Sequence, residues 1–210
     1  MKTVFFVRHG ESTGNASDRY QLDSSDLSVK GIKQAELIAE RTRLLQAEAL
    51  IASTMPRAHQ TAQAISRATG LPIESSDLFV ERRRPQAQQG LVRTSPEALL
   101  MDELMMKNFC EPGYRLADEE NFEDLKERAT KALSILINHE KEIILVATHG
   151  LFLRVLLAQA TLGDSLTASI MSTFIGTYQT SNTGLTVFHH DDKRLNPWSV
   201  ITWNDDAHLT

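Results

Sequence analysis

The sequence predicts an α/β protein: a three-layer α/β/α sandwich with a mostly parallel central sheet, a C-terminal antiparallel hairpin and a helical lid-like insertion. Three observations predict it. Short apolar runs of strand composition recur at residues 3–7, 49–52 and 143–147. Each run ends in polar residues and is followed by a pattern of helical period, the strand-then-helix rhythm that favours a parallel sheet. Two later runs, 185–188 and 199–203, flank Asp191-Asp192-Lys193 as the arms of a hairpin flank its turn.

The elements follow in order. Ser28 caps a first helix on which Ile32, Ala35, Leu37, Ile38, Leu44 and Leu45 recur at roughly helical spacing. The next strand ends at Ser53. Pro56 then stands in a helix's first turn, and the helix through Ala62, Ala64, Ile65 and Ala68 stops at Gly70. A short strand is expected at about residues 71–74.

Residues 76–120 interrupt the rhythm with Arg82-Arg83-Arg84-Pro85, a Gln-rich turn and a helix opened by Ser95-Pro96-Glu97. That helix runs towards Phe109 and is expected to end at Pro112-Gly113. The stretch is too long for a simple connection and reads as an insertion covering the site. Met101, Met105 and Met106 suit an adaptable lid surface, although methionines on a helix more often pack in a core. Asn121 caps a helix with Leu125, Ala129, Ala132, Leu133, Leu136 and Ile137 inward. The apolar helix at 151–162 has Arg154 as its one charged residue. No internal repeat is visible, and residues 1–210 read as a single domain with the insertion at 76–120.

Composition narrows the function. With 41% hydrophobic and 23% charged residues the chain is an ordinary globular protein. A net charge of -5 argues against a nucleic-acid binder, and any anion site must be built from local positive charge. The single cysteine, Cys110, leaves no internal disulfide and fits a reducing compartment. Arg8 cuts the first apolar run too short for a signal segment, and no run is long enough to cross a membrane, so cytoplasmic residence is expected.

The chemistry begins at Arg8-His9-Gly10, a charged pair at the tip of a buried strand followed by the residue suited to close backbone approach. A solvated loop would account for the tripeptide alone. Its recurrence changes the balance: the second strand leads into Ser53 and Arg57, and the third into Thr148-His149-Gly150. In open α/β sheets ligands bind beyond the carboxyl ends of the strands, so these three ends are expected to converge on one pocket. A histidine there can attack phosphorus while arginines hold the phosphoryl oxygens in a planar fork. His59, His139, His189, His190 and His208 have no such context and no metal-ligand spacing.

Taken together, the residues resemble the histidine phosphatase superfamily, also called the phosphoglycerate mutase-like fold. The likeness rests on Arg8-His9-Gly10-Glu11-Ser12 with Asn15, on Leu27-Ser28 with Gly31, Gln34 and Ala35, and on Ser53 with Arg57-Ala58 and Thr61-Ala62. Glu81 and Thr148-His149-Gly150 complete it. It spans nearly the whole chain.

The resemblance implies a metal-independent phosphatase acting on phosphate monoesters, with no cofactor and no metal. His9 would be transiently phosphorylated. Arg8, Arg57 and His149 would surround the phosphoryl oxygens, with Asn15 donating a further hydrogen bond. Charge-assisted contacts of this kind contribute about 1.5–3 kcal/mol each. Glu81 would protonate the leaving alkoxide and then act as base for the hydrolytic water. Its other reading is a surface ion network with the arginines beside it.

Glu11-Ser12 stands where the mutases carry Gln-Ser, and Arg82-Arg83 where they carry Tyr-Gly shortly after the acidic residue. Those departures favour the small bacterial-type phosphatase branch. Two alternatives stay open: phosphoglycerate mutase-type phosphoryl transfer, and a non-catalytic phospholigand-binding module. Arg82, Arg83 and Arg84 either meet a second anionic group on the substrate or pair with Asp102, Glu103, Glu119 or Glu120. The expected partner is a small phosphorylated substrate rather than nucleic acid or membrane. The substrate's identity and the oligomeric state, a homodimer among the options, are open.

Overall fold

The computed structural model describes residues 1–210. Its strands are β1 (Lys2–Arg8), β2 (Ala49–Ser53), β3 (Ile73–Ser76), β4 (Ile143–Thr148), β5 (Leu185–His190) and β6 (Trp198–Asp205). Its helices are α1 (Thr13–Ala16), α2 (Val29–Thr42), α3 (Pro56–Thr69), α4 (Pro96–Lys107), α5 (Phe122–Asn138), α6 (Gly150–Leu162) and α7 (Ala168–Thr177). The six strands form one sheet in the order β3-β2-β4-β1-β5-β6. The first four in that order run parallel, β5 turns back antiparallel to β1, and β6 pairs antiparallel with β5.

Both faces of the sheet are covered, which explains why β1, β2 and β4 read as continuous apolar runs. Val4, Phe6, Ile144 and Val146 point to one face and pack on Leu125, Ala129, Ala132 and Leu136 of α5 and on Phe152, Val155 and Leu156 of α6. The alternate residues Val7, Leu50, Ala52, Leu145 and Ala147 pack on Ala35, Ile38 and Ala39 of α2 and on Ala62, Ala64 and Ile65 of α3. Each fully buried Leu, Ile, Val or Phe side chain contributes about 1.5–3 kcal/mol. The three-layer α/β/α sandwich and the C-terminal hairpin stand as the sequence predicts.

Several boundaries differ from the sequence reading. β3 begins at Ile73, two residues late. Gly70 closes α3 in a left-handed conformation (φ 76°), and Pro72 has no N–H to give a ladder. Helix α4 ends at Lys107, ahead of Pro112-Gly113, because Asn108 turns its backbone N–H and its side-chain amide onto the Leu104 carbonyl. On α2 the buried stripe is Gly31, Ala35, Ile38, Ala39 and Thr42, leaving Ile32 and Leu37 about half exposed. Leu44 lies in the single turn that follows α2 and is exposed. Of the methionines on α4, Met105 is buried and Met106 is exposed. Helices α1 and α7 were not foreseen. No helix is long and apolar enough to cross a membrane.

Candidate active site

The parallel strands deliver their polar tips to one edge of the sheet. In the β1–β4 register Arg8 lies opposite Thr148, and the His9 N–H donates to the Thr148 carbonyl at 2.9 Å. His9 and His149, far apart in sequence, therefore sit side by side with ring centroids 5.0 Å apart. From β2, the Ser53 Oγ lies 2.8 Å from His149 Nε2. From the first turn of α3, Arg57 enters the same region, 3% exposed. Charge from Arg57 and Arg8 acts on both imidazoles.

Two glycines make these approaches possible. A Cβ on Gly150 would lie 3.1 Å from Arg8 Nε and 2.7 Å from Thr180 Oγ1. One on Gly31 would lie 1.9 Å from the Glu11 carbonyl oxygen. The Gly31 contact seats α2 against the segment after β1, where the Ser28 N–H bonds the same carbonyl.

The His9 ring is fixed by its Nδ1, 2.6 Å from the Gly10 carbonyl. A carbonyl only accepts, so Nδ1 carries the proton and Nε2 presents its lone pair. Burial, reinforced by Arg57 and Arg8, holds His9 well below the ordinary value of 6.5. Burial, then Arg57 and His9, do the same to His149. Both rings are neutral at ordinary pH. Arg8 donates from Nη1 to the Thr180 carbonyl at 2.5 Å, and Arg57 donates from Nη2 to Met55 Sδ at 3.2 Å. Three buried nitrogens of this cluster have no hydrogen-bond partner: Arg8 Nε, Arg57 Nε and His149 Nδ1.

Glu81 arrives from the segment after β3. Its carboxylate accepts from the backbone N–H groups of Leu151 (3.2 Å) and Phe152 (2.9 Å) at the start of α6, and from Arg82 N–H (3.0 Å). A helix N-terminus favours an anion, which explains this seat. With Arg57, Glu81 lines a cavity of about 230 Å³ whose walls also include Tyr20, Asp23, Arg93 and Arg154. His9, His149 and Arg8 are not on that wall, and both histidines are buried.

The other site expectations divide. Asn15 does not line the cavity, and its Oδ1 accepts from the Ser12 N–H (3.3 Å) and Oγ (3.1 Å) in the capping box of α1. Arg82 pairs with Glu119 at 2.8 Å and Arg84 with Asp102 at 2.8 Å, as the ion-network reading of these arginines has it. The Arg83 backbone N–H donates to Glu120. Sequence reasoning gave Ser53 and Arg154 no role. The signals were available: Arg154 is a lone charge in an apolar helix, and Ser53 stood among the polar strand ends and the residues that carry the resemblance. No three His, Cys, Asp or Glu side chains lie close enough together to hold a metal ion.

Comparison with known proteins agrees with this architecture. The model of the histidine phosphatase superfamily (branch 1) matches residues 4–206. A metal-independent phosphoserine phosphatase from Arabidopsis thaliana is 31% identical over 217 residues, covering 99% of this chain and 83% of the relative. A probable phosphoglycerate mutase GpmB from Enterobacter sp. (strain 638) is 34% identical over 160 residues, 73% of this chain and 72% of that one. Among solved structures, the mycobacterial glucosyl-3-phosphoglycerate phosphatase Rv2419c aligns with a TM-score of 0.80 at 20% identity, over 98% of this chain and 100% of that one. A phosphoserine phosphatase from Entamoeba histolytica aligns with a TM-score of 0.78 at 20% identity over 100% of both. The last two likenesses show the fold. The chain belongs to the histidine phosphatase superfamily and is an enzyme of its phosphatase and phosphoryl-transfer chemistry.

Proposed function

We propose that this chain is a metal-independent phosphatase that hydrolyses small phosphate monoesters through a phosphohistidine on His9, with Glu81 as proton donor. The observation that supports it most is the trio of unpartnered buried nitrogens, Arg8 Nε, Arg57 Nε and His149 Nδ1, around the His9 ring. A buried donor without an acceptor costs about 1–3 kcal/mol, and several together mark a place shaped for something else. A tetrahedral phosphoryl group supplies acceptor oxygens in several directions at once. Asn15 Nδ2 is the further donor in this reading.

The steps follow from the residues. His9 Nε2 attacks phosphorus, and the P–O bond to the alcohol breaks. Glu81, as the acid, gives its proton to the departing oxygen. Water then attacks the phosphohistidine while Glu81 takes the water's proton, and the P–N bond breaks to release phosphate. A neutral imidazole avoids the repulsion an anionic nucleophile meets from a phosphate dianion, and the arginines supply the charge stabilisation. In this reading residues 76–120 are a lid-like cover within a single domain, because Glu81, Arg82, Arg84, Gln89 and Arg93 line the cavity.

The test is turnover by the purified chain on a panel of sugar phosphates, phosphoglycerates, nucleotides and phosphopeptides, beside His9→Ala. Release of phosphate by the parent and none by the variant is expected. Full activity in His9→Ala would overturn the nucleophile. The GpmB relatives keep the mutase reading in view; accumulation of an isomerised phosphoester in place of free phosphate would favour it. A binding module would hold phosphate esters and turn over none.

A further inference from the structure

Four polar residues take no part in the steps above and do not line the cavity: Ser181, Asn182, Thr183 and His208. The first three lie just before β5, and His208 lies in the single turn after β6 (Ala207–Leu209). Thr183 is fully buried with φ 59°, the left-handed region, which a β-branched residue rarely adopts. Such a conformation persists where its surroundings over-determine it.

The left-handed turn brings this segment onto the Arg8-His9 tip. The Thr183 N–H donates to the Arg8 carbonyl at 2.9 Å and to the His9 carbonyl at 3.4 Å. Asn182 donates from Nδ2 to the same His9 carbonyl at 2.9 Å. At the other end of that peptide unit, the Gly10 N–H donates to Thr61 Oγ1 at 3.1 Å. The peptide joining His9 to Gly10 is therefore gripped at both ends. In the next unit the Glu11 N–H donates to Gln34 Oε1 at 2.8 Å, and the Gly10 carbonyl holds His9 Nδ1. His9 and Gly10 lie between β1 and α1, so the orientation of the ring depends on these two clamped peptides.

The grip is secured from β6 and the turn after it. Asn204 Oδ1 accepts from the Ser181 N–H at 2.6 Å, and Ser181 Oγ donates to Asp206 Oδ2 at 2.7 Å. Gly184 leaves room for that amide, since a Cβ there would lie 2.1 Å from Asn204 Oδ1. His208 Nε2 lies 3.0 Å from Thr183 Oγ1. Arg41, paired with Asp205, reaches His208 Nδ1 from Nη1 at 3.4 Å. Burial, then Arg41, hold His208 below the ordinary 6.5, so its ring is neutral at ordinary pH. A guanidinium only donates, so Nδ1 accepts and the ring's proton stands on Nε2, against the Thr183 hydroxyl. That hydroxyl donates in turn to the Asn182 carbonyl at 2.7 Å.

We infer that Asn182 and Thr183 are positioning residues for the His9 ring, and that His208 locks them in place from the turn after β6. This rests on the phosphatase reading above. A reacting group misplaced by about 1 Å costs about 10²-fold, so the brace acts on the rate of attack and leaves substrate affinity alone.

Three variants test it. Asn182→Asp keeps the side chain's shape and sets an acceptor against the His9 carbonyl; kcat is expected to fall about ten- to hundredfold, with KM within about twofold. His208→Ala breaks one link of the lock and should lower kcat by about three- to tenfold. His208→Gln, whose amide nitrogen takes the place of Nε2, should recover most of the rate. Proton NMR reads positioning without turnover. The His9 Nδ1–H resonance, identified by its absence from His9→Ala, should move in Asn182→Asp and His208→Ala and return in His208→Gln. Parent kcat with an unmoved resonance would overturn the brace, as would losses shared equally by the two His208 variants or confined to KM. The His208 pair carries the test if Asn182→Asp does not fold, because His208 is only half-buried. A parent that releases no phosphate would sink the phosphatase reading. The resonance then decides the brace by itself: a shift in His208→Ala that His208→Gln reverses keeps it, and no shift removes it.

Discussion

Ser53 Oγ and His149 Nε2 lie 2.8 Å apart, with both residues fully buried. The Ser53 oxygen already accepts from the Met55 N–H at 3.2 Å. When the Ser53 hydroxyl gives its own proton to His149 Nε2, the single proton of the neutral imidazole stands on Nδ1, the unpartnered nitrogen. A donor at Nδ1 suits a phosphoryl oxygen, whereas a bare lone pair there would repel one. In that arrangement Ser53 sets the tautomer. Ser53→Ala is expected to lower kcat by up to about 10²-fold, the scale of one oxyanion donor, with KM little changed. Ser53→Thr, which keeps the hydroxyl, should recover most of the rate. Steady-state kinetics of the two variants side by side check this, and equal losses in both would point to packing alone.

Glu81, the proposed proton donor, has a leaving-group signature. Glu81→Gln keeps most of the shape and removes the proton. Turnover of alkyl phosphates should fall by about 10²–10⁴-fold. A nitrophenyl phosphate, whose leaving group needs little help, should lose far less. Equal losses on the two substrates would remove the proton-donor role.

The two site histidines, His9 and His149, make stability depend on pH. Burial, with Arg57, holds both well below the ordinary 6.5. In the unfolded chain they take up protons near 6.5, and in the folded chain only at lower pH. Between those values the unfolded state binds more protons, so stability is complete above the unfolded value and falls as the medium is acidified. The slope is up to about 1.4 kcal/mol per pH unit for each histidine. Urea unfolding at about pH 7.5 and about pH 5.5 measures it, and His149→Asn should flatten the difference.

Arg128 on α5 holds the segment that carries Glu81. Its Nε and Nη2 donate to the Glu120 carboxylate at 2.7 Å each, and its Nη1 donates to the carbonyls of Leu78 (3.1 Å) and Val80 (2.8 Å). Its guanidinium also lies 3.8 Å over the Phe152 ring. Both partners of the ion pair are less than a tenth exposed. Glu120→Ala strands a buried cation and should cost about 3–5 kcal/mol by denaturant unfolding. The double variant Arg128→Met, Glu120→Leu should lose less than that single change, because no charge is left without its partner.

The architecture was legible because both-face burial leaves an obvious mark: β1, β2 and β4 are unbroken apolar runs, and the caps Ser28 and Asn121 and the first-turn Pro56 sit where they were read. Periodicity was a weaker guide to which residues on α2 go inside, since Ile32 and Leu37 share its apolar character yet flank the stripe set by Gly31 and Ala35. Helix α7 was missed because residues 163–184 carry no break in composition to set it off. The residues of the proposed site, Arg8, His9, Arg57, Glu81 and His149, were picked out by motif order. The separate fates of Arg82, Arg84 and Arg93 were not, because pairing with Asp102 and Glu119 depends on how residues 76–120 fold back, which no local pattern encodes.

The pairing of β1 with β4 sets a schedule for the molecule. Position 8 meets position 148 across the sheet, so the two imidazoles become neighbours only when strands from opposite ends of the chain have closed against each other. Such long-range closure is slow compared with helix formation. A nascent polypeptide on the ribosome makes its Arg-His tip well before residues 143–149, so the two imidazoles cannot meet until β4 has been made. A fragment that stops short of β4, however well folded its own helices, lacks the second imidazole of the proposed site.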